Sequence, residues 1–171
     1  MMCNFINMVA MVCGNFTIFA AKSRFMENNT DKKDILDRRY LRMARIWAEN
    51  SYCKRRKVGA LIVKDKMIIS DGYNGTPAGF ENVCEDDSGI TKPYVLHAEA
   101  NAITKVARSN NSSEGSTLYI TASPCVECAK LIIQAGIRRV VFNELYRLTD
   151  GVDLLERAGV ECVHIPEIEN E

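Results

Sequence analysis

The sequence predicts an α/β domain: a mixed sheet of about five short strands, covered by helices on both faces in three layers. Two observations carry this. Short apolar runs alternate with segments of helical period, the arrangement that builds a sheet buried on both sides. The first two runs, within "VGALIVKDKMIISDGYNG", are separated only by a Lys-Asp-Lys turn. They therefore form an antiparallel hairpin and make the sheet mixed.

The elements follow in order. The first 21 residues, "MMCNFINMVAMVCGNFTIFAA", are apolar and uncharged. They lack the positive segment that precedes the apolar run of a secretory signal, and Asn4, Asn7, Gly14, Asn15 and Thr17 dilute them as a membrane anchor. Met26 is the expected start of the functional chain. The expected division is an N-terminal extension of low order over 1–33, one domain over 34–166 and a tail over 167–171. From Asp34 to Asn50, Ile35, Leu36, Tyr40, Met43, Ile46 and Trp47 recur every three or four residues and mark one apolar face of a helix. The hairpin comes next, then a loop over 75–92 with Pro77, two glycines and the acidic run Glu85 to Asp87. A second helix is expected over about Leu96 to Arg108. "TLYITA", "RRVVFN" and "VECVHI" read as strands, separated by the helices "PCVECAKLIIQAG" and "DGVDLLERAG".

The 171 residues carry 22 Lys+Arg against 22 Asp+Glu. A formal charge of zero gives no global attraction to nucleic acid or to an anionic membrane, though one local phosphate pocket is compatible with it. Seven cysteines, an odd number at irregular spacing, do not form a secreted disulfide framework. They fit a reducing compartment, the cytoplasm, with metal-bound thiolates. Cys162 reads as a small buried hydrophobe.

Two motifs carry chemistry. In "SPCVEC", Cys125 and Cys128 lie three apart at a helix start, where proline suits the first turn and the helix dipole favours thiolate. Taken alone, the pair also suits a redox couple or half of a structural zinc knuckle. His97, one of two histidines, completes three ligands, the number that leaves a catalytic zinc one open position. In "HAEANAI", His97 and Glu99 would diverge in mid-helix, but at a helix entrance they can converge on one pocket. Glu99 would then exchange protons with water activated by the metal. Together the motifs read H-x-E…P-C-x-x-C, the signature of zinc nucleobase deaminases.

With "KVGALIVKDKMIISDGYNGTPAGF", "SPCVECAKLIIQAGIRRVVF" and "LYR", the chain resembles the cytidine deaminase superfamily and, within it, the deoxycytidylate (dCMP) deaminase branch, over about Tyr40 to Ile165. "GYNGTP" carries the likeness to that branch. The resemblance implies the cytidine deaminase-like fold, Zn²⁺ held by His97, Cys125 and Cys128, and Glu99 as proton shuttle. It implies Asn74 at the deoxyribose, Ala98 and the Ser123 backbone at the cytosine, and Arg55, Tyr146 and Arg147 at the 5′-phosphate. The implied reaction converts dCMP to dUMP for thymidylate synthesis. It also implies a homo-oligomer, up to a hexamer, with dCTP and dTTP as effectors, Mg²⁺ alongside, and Gly72, Tyr73 and Gly75 in the effector region. No nucleic-acid or membrane partner is expected. Cys53 and Cys84 fall where some relatives bind a second, structural zinc, but "CEDDSGITKPYVLH" lacks the extra histidines, so two buried thiols are expected there. Other zinc deaminases, acting on tRNA adenosine or riboflavin precursors, share H-x-E and P-C-x-x-C. A noncatalytic zinc module has no use for Glu99.

Overall fold

The computed structural model describes residues 32–146 and 149–166. The expectations for residues 1–31 of the N-terminal extension, for Met26, for the tail and for Arg147 lie outside the described residues, whereas residues 32 and 33, counted above to the extension, are helical. Helix α1 spans 32–48. Two units are distinguished, Met1–Leu36 and Asp37–Glu171; in the first, the described residues 32–36 are helical. All that follows concerns the second.

β1 (Gly59–Lys64) and β2 (Met67–Tyr73) pair antiparallel, with Lys64 opposite Met67. Asp65 and Lys66 close the hairpin with φ of 51° and 64°, the left-handed pair whose twist matches that of the flanking strands. β1 also pairs antiparallel with β3 (Thr117–Ala122). From β3 the sheet runs parallel to β4 (Arg139–Glu144) and β5 (Glu161–His164), in the order β2-β1-β3-β4-β5. Parallel neighbours need crossovers, supplied by α3 (Val126–Gln134) and α4 (Asp150–Arg157). α2 (Ala98–Ala107) precedes β3. No helix among the described residues is long and apolar enough to cross a membrane.

The three inner strands β1, β3 and β4 are largely apolar on both faces because both are covered. Ala60, Ile62, Leu118, Ile120, Val140 and Phe142 form one core with Ala102 of α2, Ile132 of α3 and Leu155 of α4. The alternate residues Leu61, Tyr119 and Val141 are also buried, on the face where α1 lies, with the Tyr40 and Tyr119 rings 4.8 Å apart. Two glycines set how closely helices approach. A Cβ on Gly59 would lie 2.0 Å from the Ala44 carbonyl oxygen of α1, and one on Gly72 would lie 2.2 Å from the Ala98 carbonyl oxygen of α2. Gly72, assigned above to the effector region, thus has a packing role that any side chain would spoil.

Only part of the apolar stripe read from α1 packs: Tyr40 is buried and Leu36 half-buried, but the rest of the stripe faces outward. Met43, Ile46 and Trp47 are exposed, while Asp37, Tyr40, Leu41, Ala44 and Ala48 are buried. Close approach at Gly59 demands small residues, so the alanines turn inward and the bulkier stripe is displaced around the helix. Asp37 is buried because it is paired: the Arg139 guanidinium donates to both its oxygens at 2.9 and 2.7 Å, and the Tyr119 hydroxyl donates at 2.7 Å. A buried carboxylate persists only with such compensation.

Candidate active site

The ends of β1, β2 and β3, the N-termini of α2 and α3, and the segments 51–58 and 84–95 surround a cavity of about 410 Å³. Arg55, Asn74, His97, Ala98, Glu99, Ser123, Cys125 and Tyr146 all line it. Tyr73 and Gly75 border Asn74 on the chain but do not line the cavity.

His97 is the N-cap of α2, with extended backbone at φ −74° and ψ 159°. Its side chain therefore leaves the chain before helical geometry begins, whereas Glu99 stands in the first turn. That break lets i and i+2 face one place. Cys125 is likewise the N-cap of α3, at φ −77° and ψ 169°, and Cys128 lies in its first turn. Pro124 consequently precedes the cap instead of occupying the first turn, a correction to the reading of "SPCVEC". The thiols meet because N-cap and third helical residue face each other, as in a capping box.

His97 Nδ1 lies 3.5 Å from Cys125 Sγ and 3.4 Å from Cys128 Sγ, and the three donor atoms lie within 4.8 Å of one another. With metal–sulfur bonds of about 2.3 Å and metal–nitrogen bonds of about 2.05 Å, a tetrahedral zinc sets such N···S edges at about 3.6 Å. The donors are thus spaced to hold zinc. Among the described residues no fourth His, Cys, Asp or Glu joins the cluster, which leaves one position open.

The electrostatics agree. Cys125 is pulled down to about 3 by hydrogen bonds from the Cys128 thiol and His97, while Cys128 is pushed up by its bond to Cys125 and by burial. The pair thus shares one proton, which a divalent cation would displace. Glu99 is 3 % exposed, and burial pushes its carboxyl up to about 7. A carboxyl at that value both accepts and returns protons near neutral pH.

The remaining predicted residues divide by what already occupies them. Asn74 Oδ1 accepts from the Val58 N–H at 2.8 Å, and its Nδ2 donates to the Arg56 carbonyl at 2.9 Å, so the amide also staples segment 51–58. The Ser123 N–H donates to the Glu144 carbonyl, and its hydroxyl accepts from the Tyr146 N–H at 2.7 Å. Ala98, fully buried, offers an N–H at a first helical position, where no carbonyl of its own helix can receive it.

Sequence reading did not select Arg56, Glu85 or Thr91, which also line the cavity. Arg56 pairs with Glu144 at 2.6 Å, and its guanidinium lies 5.5 Å from the centre of the Tyr146 ring. The basic run "KRRK" was its signal, but spacing could not tell which members turn inward. Cys53 and Cys84 are not two thiols: they form a disulfide across 31 residues, with Cα atoms 5.1 Å apart. Only the tertiary fold brings them together, so their spacing gave no hint of it. His164 stands apart, stacked on Phe142 at 5.1 Å, with Nε2 3.0 Å from the Asn143 carbonyl. Cys162 is half-buried against the core.

Known proteins are similar to this chain over most of its length. The family model for the cytidine and deoxycytidylate deaminase zinc-binding region matches residues 35–144. The deoxycytidylate deaminase of Enterobacteria phage T4 is 35% identical over 169 residues, covering 74% of this chain and 88% of that protein. The human deoxycytidylate deaminase is 38% identical over 134 residues, covering 71% of this chain and 74% of that protein. The crystal structure of dCMP deaminase from cyanophage S-TIM5, in complex with dCMP and dUMP, aligns with a TM-score of 0.72 at 48% identity, over 74% of this chain and 93% of that one. Fold, donor cluster and sequence agree, and the chain belongs to the cytidine and deoxycytidylate deaminase family of hydrolases.

Proposed function

We propose that this chain hydrolyses dCMP to dUMP and ammonia, with one zinc ion held by His97, Cys125 and Cys128. The observation that carries the reading is a three-donor cluster beside the buried Glu99 carboxyl, on one cavity that two arginines also line. When bound, zinc supplies a Lewis acid that makes water nucleophilic near neutral pH. Glu99 takes one proton from the attacking water and delivers it to N3 as the oxygen bonds to C4, then takes the second from the new C4 hydroxyl and delivers it to the amine, which leaves as ammonia as the C4–N bond breaks. The Ala98 N–H and the Ser123 carbonyl meet the edge of the base, and Asn74 meets the sugar. Arg55 and Arg56, with Tyr146 and Arg147, hold the 5′-phosphate. Arginine suits that task because its planar fork pairs with phosphate oxygens and keeps its charge. The dCMP and dUMP bound by the cyanophage relative support the choice of substrate.

The same reading makes 34–166 the catalytic domain of a cytoplasmic homo-oligomer that supplies dUMP for thymidylate synthesis. It includes control by dCTP and dTTP, with Mg²⁺, near Gly72, Tyr73 and Gly75. A spectrophotometric assay of zinc-loaded protein with dCMP, CMP, deoxycytidine and dCTP tests the core of it. Fastest turnover is expected for dCMP, and absence of deamination on all four would overturn the assignment. Titrating dCTP and dTTP should shift the dCMP saturation curve; an unmoved curve removes the regulatory part.

A further inference from the structure

Arg55 and Arg56 are adjacent, and adjacent side chains on an extended chain point to opposite sides. Both nevertheless line the same cavity. The chain bends at Lys54 and Arg55, and one buried atom sits inside the bend. Glu85 Oε1 accepts from the Lys54 N–H at 3.0 Å and from the Arg55 N–H at 3.1 Å. Two successive N–H groups converging on one oxygen form the concavity that proteins use to hold anions. Here a side chain of the protein fills it, so a phosphate must be met by the arginine side chains.

Glu85 is itself fixed. It is 8 % exposed and bridges to Thr91, while the Lys92 N–H donates to the Cys84 carbonyl at 2.8 Å. Asp86 Oδ1 accepts from the N–H groups of Ser88 and Ile90, both at 2.9 Å, closing the turn between these rungs. On either side of the bend the chain is held independently, by the Cys53–Cys84 bond and by the Asn74 amide on Arg56 and Val58. Loss of the Glu85 carboxylate would therefore loosen the arginines and leave the domain intact.

We propose that Glu85 is a positioning residue that sets the preference for a 5′-phosphorylated substrate, by bending residues 54–55 so that Arg55 and Arg56 reach one phosphate. The proposal rests on the dCMP reading above. Kinetics of Glu85→Ala with dCMP and with deoxycytidine test it. Expected for dCMP is a loss of about tenfold in kcat/KM, carried by KM, against less than twofold for deoxycytidine. Glu85→Gln, which keeps an acceptor oxygen, should restore most of the loss. Arg55→Ala/Glu85→Ala should be little worse than Arg55→Ala alone. Equal losses on the two substrates, no loss on either, or fully additive losses in the double variant would overturn the assignment. If Glu85→Ala does not fold, Glu85→Asp decides: it withdraws the acceptor, and a loss of about threefold or more confined to dCMP is expected, with an equal loss on both or none overturning it. A wild type that turns over deoxycytidine as fast as dCMP breaks the phosphate reading instead, before any Glu85 variant is compared.

Discussion

The metal-binding half of the cavity and its basic half are built by different means. His97, Glu99, Cys125 and Cys128 stand at the starts of two helices whose far sides are locked into the core by Ala102, Ala129 and Ile132. Their geometry comes from regular backbone. Arg55 and Arg56 stand on an irregular segment with no ladder of its own, tied down by a disulfide, a carboxylate and an amide. On the proposed reading the chemistry sits on helix starts locked into the core, and recognition of the substrate's tail sits on a segment tied at separate points, which can be retuned one contact at a time.

The sharpest test of that contrast is metal loss. Cys125→Ala should abolish both zinc content and turnover, since a catalytic site with two protein ligands no longer retains the ion; metal analysis beside an activity assay checks this. Glu99→Gln comes next. Zinc should remain while kcat falls by about 10²–10⁴, and an equal loss of zinc in the two variants would deny Glu99 its separate role. Arg56→Ala, in the basic half, should raise KM for dCMP by about tenfold or more, the cost of a lost charged hydrogen bond, with kcat nearly unchanged. A fall in kcat instead would join the two halves into one unit. The smallest effect on turnover is expected from replacing Cys53 and Cys84 by serine. Closing a loop of 31 residues contributes about 3–4 kcal/mol, so the melting temperature should drop by roughly 10 °C while kcat at 25 °C stays within about twofold. Thermal melts with and without reductant provide the check.

The same contrast governs what could be read in advance. His97, Glu99, Cys125 and Cys128 fall within two short motifs, because a helix start brings residues two or three apart to one place. The five strands and the mixed sheet followed from alternating apolar runs, and the hairpin from the short turn at Asp65 and Lys66. Arg56 and Glu85 were not singled out, since what turns a member of "KRRK" inward is a carboxylate 30 residues away. The α1 face was legible only in part, at Tyr40 and Leu36, for a related reason: hydrophobicity marks what can be buried, whereas Gly59 admits only small residues such as Ala44 and Ala48 opposite it.

By itself, then, the sequence determined the α/β class, the donor set and the buried acid beside it, since each depends on periodicity or on contacts within a turn of chain. Only the tertiary structure decided the disulfide, the side of α1 that meets the sheet, and the bend that aims two neighbouring arginines into one cavity. Those depend on contacts between segments 15 to 31 residues apart, and no local pattern encodes which distant partner will arrive.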